Sequence, residues 1–313
     1  MGQLAARNRY LVNASGRFVG DRTGAAFVFF GPLLGSFVVG FVGTLVGQLM
    51  KIDAIAGISV CIAVLMFFGA VVAQWVFLFG GSASVAQAST LAMSGNTQAA
   101  IPLCQKPLGR VFRADVRTRA LYTLALCAES HGDFAEAEDL FDRAAKMIPA
   151  MAAGKWQRHG RVMMGSHRAI SLVALNRLDE ADTLVRMASL QFPPRPPGAL
   201  DVLSDDAAFG AVGISAALRD LEPGRDPRAL LTLASVVVLA ARGMAREAVE
   251  LVERERYFLN AGLLPRERAL VVHVENRSRG LLGGGPMRSP GMQPHQHVDS
   301  AGEAWAQKVL PSR

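Results

Sequence analysis

Two long hydrophobic runs precede a region in which apolar positions recur with helical spacing. The runs are residues 25–49, AAFVFFGPLLGSFVVGFVGTLVGQL, and residues 54–79, AIAGISVCIAVLMFFGAVVAQWVFLF, and neither contains a charged residue. A membrane-spanning helix needs about 20 apolar residues, so each run predicts one span. The short connection MKID predicts a helical hairpin, because backbone polar groups in lipid must be satisfied within helices.

Charges outside the two runs predict the orientation of this hairpin. The N-terminal segment, residues 1–24, carries Arg7, Arg9, Arg17 and Arg22 against the single acid Asp21. An excess of basic residues marks the cytoplasmic side, and two spans return the chain to that side. We therefore expect an integral membrane protein, typical of a bacterial inner membrane, with both termini in the cytoplasm and the lipid bilayer as a partner.

Small residues form a regular pattern in the first run. They fall on one helix face, where they allow two backbones to approach closely. Packing against the second span is the favoured interpretation, and homo-oligomerisation through the membrane helices is the alternative. The candidate packing residues are Gly31, Gly35, Gly40, Gly43 and Gly47.

The region after residue 80 changes to the pattern of paired amphipathic helices. Residues 119–149 read RALYTLALCAESHGDFAEAEDLFDRAAKMIP. Ala125 and Ala137 are small enough for two helices to touch, and Gly132 permits the turn between them. Phe134 and Phe141 fill the space between the helices.

The same spacing recurs three more times. Asn176 takes the turn position in residues 167–193, and Asn is a usual substitute for Gly in a left-handed turn. Fainter copies place Gly95 and Gly243 at their turns. These stretches resemble the tetratricopeptide repeat, a helix–turn–helix unit of about 34 residues that stacks into a solenoid.

The predicted fold class is all-α, with two transmembrane helices followed by a TPR-like α-solenoid of about 3–4 helix pairs. The expected domains are a basic segment at 1–24, the hairpin at 25–80, the repeats at 81–280 and a disordered tail at 281–313, with a short helix near GEAWAQKVL. Residues 192–201 are expected to be a stiff Pro-rich connector, and residues 206–221 one further helix.

The resemblance also implies a binding groove, because the first helices of tetratricopeptide units line a surface that takes peptides or helices. Packing against neighbouring helices is the alternative role for the same side chains. An amphipathic or extended protein segment is the expected ligand. The matching positions here are Arg119, Tyr122, Leu126, Glu129, Met163, Ser166 and Ile170.

Few residues predict chemistry. Cys127 and His131 share a helix face, but a zinc site needs three or four ligands, and Cys127 already fits as a small packing residue. Basic and acidic residues nearly balance in the repeat region, although the whole chain has a formal charge of +7. We therefore predict no enzyme activity, no cofactor, no metal and no nucleic-acid partner.

Three hypotheses about function remain. The first is a membrane-anchored tetratricopeptide scaffold that binds a protein partner at the cytoplasmic face. The second is a structural subunit of a membrane complex that assembles through the Gly-rich hairpin. The third is an enzyme or metal protein that uses Cys127 and His131.

Overall fold

Helices make up every regular element that the computed structural model describes. It describes residues 9–12, 23–50, 53–108, 114–148, 155–190, 226–283 and 300–311. A short 3-10 helix covers Arg9–Leu11, and the α-helices are α1 Thr23–Met50, α2 Asp53–Met93, α3 Thr97–Leu108, α4 Ala114–His131, α5 Phe134–Met147, α6 Lys155–Ala174, α7 Leu178–Ser189, α8 Pro227–Ala241, α9 Ala245–Gly262, α10 Pro265–Leu281 and α11 Ser300–Val309. The predicted connector at 192–201 and the predicted helix at 206–221 lie outside the described residues.

Four tight turns divide the helical region into pairs. Gly95, Gly132 and Gly243 have φ angles of 85°, 85° and 80°, and Asn176 has a φ of 59°. Glycine adopts such left-handed angles without a steric penalty, and Asn tolerates them better than most residues. All four are the turn residues that the sequence predicts. They join the end of α2 to α3, α4 to α5, α6 to α7, and α8 to α9.

Each helix pair packs against the next pair along the chain. α3 contacts α4, α5 contacts α6, and α8 contacts both α6 and α7. α10 then packs on α8 and α9. This succession is that of an α-solenoid, in which each unit buries its apolar face against its neighbours.

The core of the array uses small residues where two helices meet and large ones between them. Ala125 and Ala137, on the facing sides of α4 and α5, are both fully buried. Tyr122 and Phe141 fill the space beside them, with ring centroids 5.7 Å apart in an edge-on arrangement. Edge-on pairs are a favoured geometry for aromatic rings, so this pair helps to fix α4 against α5.

The prediction of two membrane spans is wrong. Within the described ranges, none of the helices combines the length and the hydropathy that a membrane crossing requires. The predicted location as an integral membrane protein is wrong for the same reason. The second apolar run is not a separate element, because α2 continues beyond it to Met93. There it carries Val85, Ala88 and Ala92 into the core of the array.

α1 and α2 nevertheless form a helical hairpin, and small residues lie at their contact. A Cβ atom added to Gly40 would lie 3.0 Å from Cβ of Ala63, and one added to Gly43 would overlap the side chain of Ser59. Gly47 is buried as well. Gly35 has open space around it, and the surroundings of Gly31 are not among the described features.

The C-terminal segment expected to be disordered contains the ordered helix α11. Its buried side is formed by Trp305, Ala306, Val309 and Leu310. α11 packs on α10 and α6, so residues distant in sequence order it. Residues 284–299, between α10 and α11, lie outside the described part of the chain.

Candidate functional site

Side chains of α4, α6, α10 and α11 meet in one region, and two of the predicted groove residues, Tyr122 and Glu129, lie in it. We call this region the inner face and define it by Tyr122, Glu129, His167, Arg266 and Trp305. Arg119 is half-buried, and the other six predicted positions are buried in this chain. Those six are Tyr122, Leu126, Glu129, Met163, Ser166 and Ile170.

A buried polar cluster lies at the centre of the inner face. The Nδ1 atom of His167 on α6 is 3.1 Å from Oε2 of Glu129 on α4. The Nε2 atom of the same imidazole is 4.0 Å from Oε1 of Glu267 on α10. All three side chains are fully buried. Burying charged groups is costly unless they are paired, and the short contact in this cluster is the one between His167 and Glu129, which joins α6 to α4.

Arg266 connects the cluster to the edge of α4. Its Nη2 atom donates to Oε2 of Glu129 at 2.9 Å, and its Nη1 atom donates to Oγ of Ser130 at 2.6 Å. Arg266 is 19% exposed and Glu129 is fully buried. The pair therefore lies at the boundary between interior and solvent, where a charge-assisted hydrogen bond is stronger than it would be in water.

Two aromatic rings hold the imidazole of His167. It stacks on Phe141 with centroids 5.0 Å apart and an interplanar angle of 7°. It also meets Tyr122 edge-on at 5.9 Å. The two rings pack on the imidazole, and its Nδ1 atom lies beside Glu129.

α11 covers one end of the inner face. The guanidinium of Arg266 lies over the ring of Trp305, 4.9 Å from its centroid. This is cation–π geometry. The Nζ atom of Lys308 donates to the carbonyl of His131, at the end of α4, at 3.1 Å. α11 thus contacts the charged edge of the polar cluster and the turn that closes α4.

α10 binds the C-terminal end of α11. Nε2 of His273 is 2.8 Å from the carbonyl oxygen of Leu310, and Nη1 of Arg277 donates to the carbonyl of Pro311 at 2.5 Å. The last carbonyls of a helix have no partner within the helix and are satisfied by cationic or other donor groups. His273 therefore contacts the carbonyl just after the last residue of α11, and Arg277 contacts the one that follows it.

Tyr10, near the N-terminus, contacts the turn between α4 and α5. Tyr10 donates its hydroxyl hydrogen to Oδ2 of Asp133 at 2.5 Å, and it lies 2.9 Å from Nδ1 of His131. Nε2 of His131 is 2.9 Å from Oγ1 of Thr97. Burial lowers the pKa of His131, and the cations Arg9 and Lys308 lower it further. These effects favour the neutral form of the imidazole.

The proposed chemistry of Cys127 with His131 has no geometric support. Burial raises the pKa of the Cys127 thiol to about 12, so the nucleophilic thiolate is disfavoured. Both nitrogens of His131 contact other residues, Tyr10 and Thr97. Among the described residues, no group of three potential ligands is arranged to hold a metal ion.

Sequence reasoning missed His167, Glu267, Arg266 and Trp305 as members of this site. The sequence offered one indication of His167, because this residue follows the predicted groove residue Ser166 on the buried side of α6. The contacts of Arg266 and Trp305 join parts of the chain that are far apart, and no local pattern indicates them. Searches among protein-family models, curated proteins and solved structures found no match to this chain.

Proposed function

We propose that this protein is a helical-repeat scaffold that binds a segment of another protein on its inner face. One observation carries the proposal: the inner face already holds a helix, α11, that is not part of the repeats. The buried side of α11 lies against α10 and α6, and its end is bound by His273 and Arg277. Helix binding in a groove uses this kind of apolar contact with polar groups at the ends.

The resemblance of the four helix pairs to tetratricopeptide units supports the same function. Left-handed turns at Gly132 and Asn176 and small residues at the helix contacts agree with that family pattern. Such solenoids present a continuous surface along their first helices, here α4 and α6, because each unit contacts only its neighbours. Binding of a protein segment there needs no catalytic group.

Site-specific photo-crosslinking in the native host tests this function. A benzophenone amino acid replaces Arg119, the one predicted groove position that is not buried, and in a control chain it replaces Tyr257, which is 79% exposed on α9. We expect one protein to be captured at Arg119 and not at Tyr257. A peptide covering its cross-linked segment must then bind the purified protein. Capture only at Tyr257, or at neither position, contradicts the proposal.

A second candidate function is self-assembly through α1 and α2. Phe37 and Leu49 on α1 are each 75% exposed, and Leu65 on α2 is 72% exposed. Apolar patches of this kind on a protein surface mark sites that another molecule covers. Here the covering molecule is a second copy of the hairpin, which packs on these exposed side chains.

Cys61 provides the test of self-assembly, because it is exposed on α2 whereas Cys104 and Cys127 are buried. A short bismaleimide should join two copies through Cys61 in the purified protein. Cys61→Ser should abolish the product. A protein that stays monomeric by light scattering and gives no cross-link contradicts this candidate.

A further inference from the structure

α11 contacts the inner face as a bound ligand would, but one of its buried polar groups makes no hydrogen bond among the described residues. Trp305 is 3% exposed, and its Nε1 atom has no hydrogen-bond partner among the described residues. A buried donor that makes no hydrogen bond is destabilising. The indole therefore contributes apolar contact and a cation–π contact with Arg266, but its N–H group opposes them.

The length of α11 also limits its stability. It has 10 residues, and an isolated helix shorter than about 12–15 residues is marginal in water. α11 is therefore helical only because it is packed on α10 and α6. Loss of these contacts would therefore unfold α11 as well as release it.

We propose that α11 is a displaceable occupant of the inner face and that the partner is an amphipathic helix of another protein that takes its place. This inference rests on the proposed function. It assigns the chemistry of the partner: about three helical turns, an aromatic ring under Arg266, and a C-terminal end whose carbonyls reach His273 and Arg277.

The contacts of α11 define the remaining positions of that partner. Its buried side carries an aromatic residue followed by small or branched aliphatic residues at the next, fourth and fifth positions, as Trp305, Ala306, Val309 and Leu310 do. A Phe in the aromatic position avoids the cost of the buried N–H group. A Lys in the position of Lys308 gains the carbonyl of His131.

The chain itself opposes binding, because α11 is attached to the site it occupies. A segment attached to the same chain competes at an effective concentration far above that of a dilute free peptide. To displace α11, a partner must bind the inner face more tightly than α11 does or be present at high local concentration. The wild-type chain is accordingly a weak binder, and release of α11 increases its affinity.

A peptide-binding experiment with the full-length purified chain tests the inference. The probe is a fluorescein-labelled synthetic peptide of residues 298–313, and binding is measured by anisotropy. In one chain Val309→Asp places a charge on the buried side of α11, where Val309 is 1% exposed. In the matched control Gln307→Asp places the same charge on its exposed side.

We expect the Val309→Asp chain to bind the wild-type peptide at least about tenfold more tightly than the wild-type chain does, because its own α11 no longer competes. Gln307→Asp should behave like the wild type. His273→Ala, introduced into the Val309→Asp chain, should weaken binding of the peptide. A Val309→Asp chain that unfolds cooperatively at an unchanged temperature but does not bind the peptide overturns the inference.

A second measurement covers the case in which Val309→Asp does not fold. A protease site is inserted between residues 284 and 299 of the full-length chain, and the site is cut after folding. Exchange of the cut α11 for labelled peptide supports the inference, and a complex that never exchanges overturns it. A wild-type dimer that dissociates on Val309→Asp also overturns it, since a second copy would then be the occupant.

The two proposals can fail separately. The peptide experiment uses only purified components and reports whether α11 is exchangeable. The photo-crosslinking at Arg119 reports whether another protein reaches the inner face in the host. A fixed α11 together with a partner captured at Arg119 removes the inference and leaves the proposed function in place.

Discussion

The Nη2 atom of Arg266 lies 2.9 Å from Oε2 of Glu129 and joins two residues that are 137 positions apart in the chain. Glu129 belongs to the second helix pair and Arg266 to the first turn of α10. The carboxylate also lies 3.1 Å from Nδ1 of His167. One buried carboxylate therefore contacts a guanidinium and an imidazole from two other helices.

Removing this acid should be strongly destabilising. We expect Glu129→Ala to lower the free energy of unfolding by about 3 kcal/mol, because it leaves a desolvated guanidinium without its counter-charge. Urea denaturation measures the loss. The control is Asp139→Ala, which breaks the exposed pair with Arg143 and should cost less than about 1 kcal/mol.

A double-mutant cycle separates the Glu129–Arg266 pair from the rest of the cluster. The coupling energy between Glu129→Ala and Arg266→Ala should be about 1–3 kcal/mol, as for other residues in one hydrogen-bonded network. Strictly additive effects of the two substitutions would show that the pair does not connect α4 with α10.

Gly132 is expected to be the least replaceable turn residue. Its φ is 85°, and an added Cβ would lie 3.0 Å from Cδ of Lys308. Gly132→Ala should cost about 1–2 kcal/mol, since a non-glycine residue is strained at this angle. Thermal unfolding measures the effect.

The matched control for Gly132 is Gly165, which lies inside α6 with no neighbour near an added Cβ. Gly165→Ala should stabilise the protein by about 0.5–1 kcal/mol, because Ala is the better helix former. Equal destabilisation by both substitutions would argue against the strained turn as the cause.

The turns and the missed contacts show what the sequence can and cannot predict. Gly132 and Asn176 were predictable, because a left-handed turn demands particular residues at a fixed distance from apolar positions. The contact of Arg266 with Glu129 was not, because two charged residues on separate helices carry no signal for their pairing. The same holds for Trp305, which lies in a Gly- and Pro-rich segment and is ordered only by α10 and α6.

The wrong prediction of two membrane spans has a different origin. Hydropathy counts apolar residues along the chain without showing where a helix ends or what it packs against. Ala63 and Ser59 of the second run lie against Gly40 and Gly43 of the first, and α2 then extends into the array as far as Met93. Of the five predicted packing residues, Gly40 and Gly43 lie at these contacts, whereas Gly35 has open space around it.

Gly43 should be critical for the contact between α1 and α2. We expect Gly43→Leu to destabilise the hairpin by at least about 1–3 kcal/mol, because a larger side chain would overlap Ser59, and overpacking at a close contact carries such a cost. Gly35→Leu is the control, since Gly35 has open space around it. Proteolysis rates within residues 35–72 should rise for Gly43→Leu and stay unchanged for Gly35→Leu.

His131 should make the protein less stable in mild acid. Its pKa is lowered, first by burial and then by Arg9 and Lys308. The unfolded chain therefore takes up a proton near the ordinary value of 6.5 while the folded chain does not. Stability should fall as the pH drops below this value, and the loss should level off at the lower pKa of the folded state.

Comparison with His131→Gln isolates this contribution. The difference in unfolding free energy between neutral pH and mild acid should be smaller for the variant than for the wild type. The effect should be modest, because the imidazole is partly exposed and solvent screens its charge interactions. An identical pH dependence in both proteins would exclude His131 as its source.

The three cysteines should differ sharply in reactivity. Cys61 is exposed, whereas Cys104 and Cys127 are buried. Burial raises the pKa of both buried thiols, that of Cys127 to about 12. Because the thiolate is the reactive form, a thiol reagent near pH 8 should modify one cysteine in the folded protein and all three in urea.

The raised thiol pKa values also predict alkaline instability. Unfolded cysteines ionise near their ordinary value of 9, and folded Cys127 ionises only near 12. The unfolded state thus loses protons first, so stability should fall as the pH rises from about 9 toward 12. Cys127→Ala removes one of these thiols and should reduce the slope of unfolding free energy against pH in this range. A slope unchanged by the substitution, or rapid modification of Cys127 in the folded protein, would show that the thiol is not buried as described.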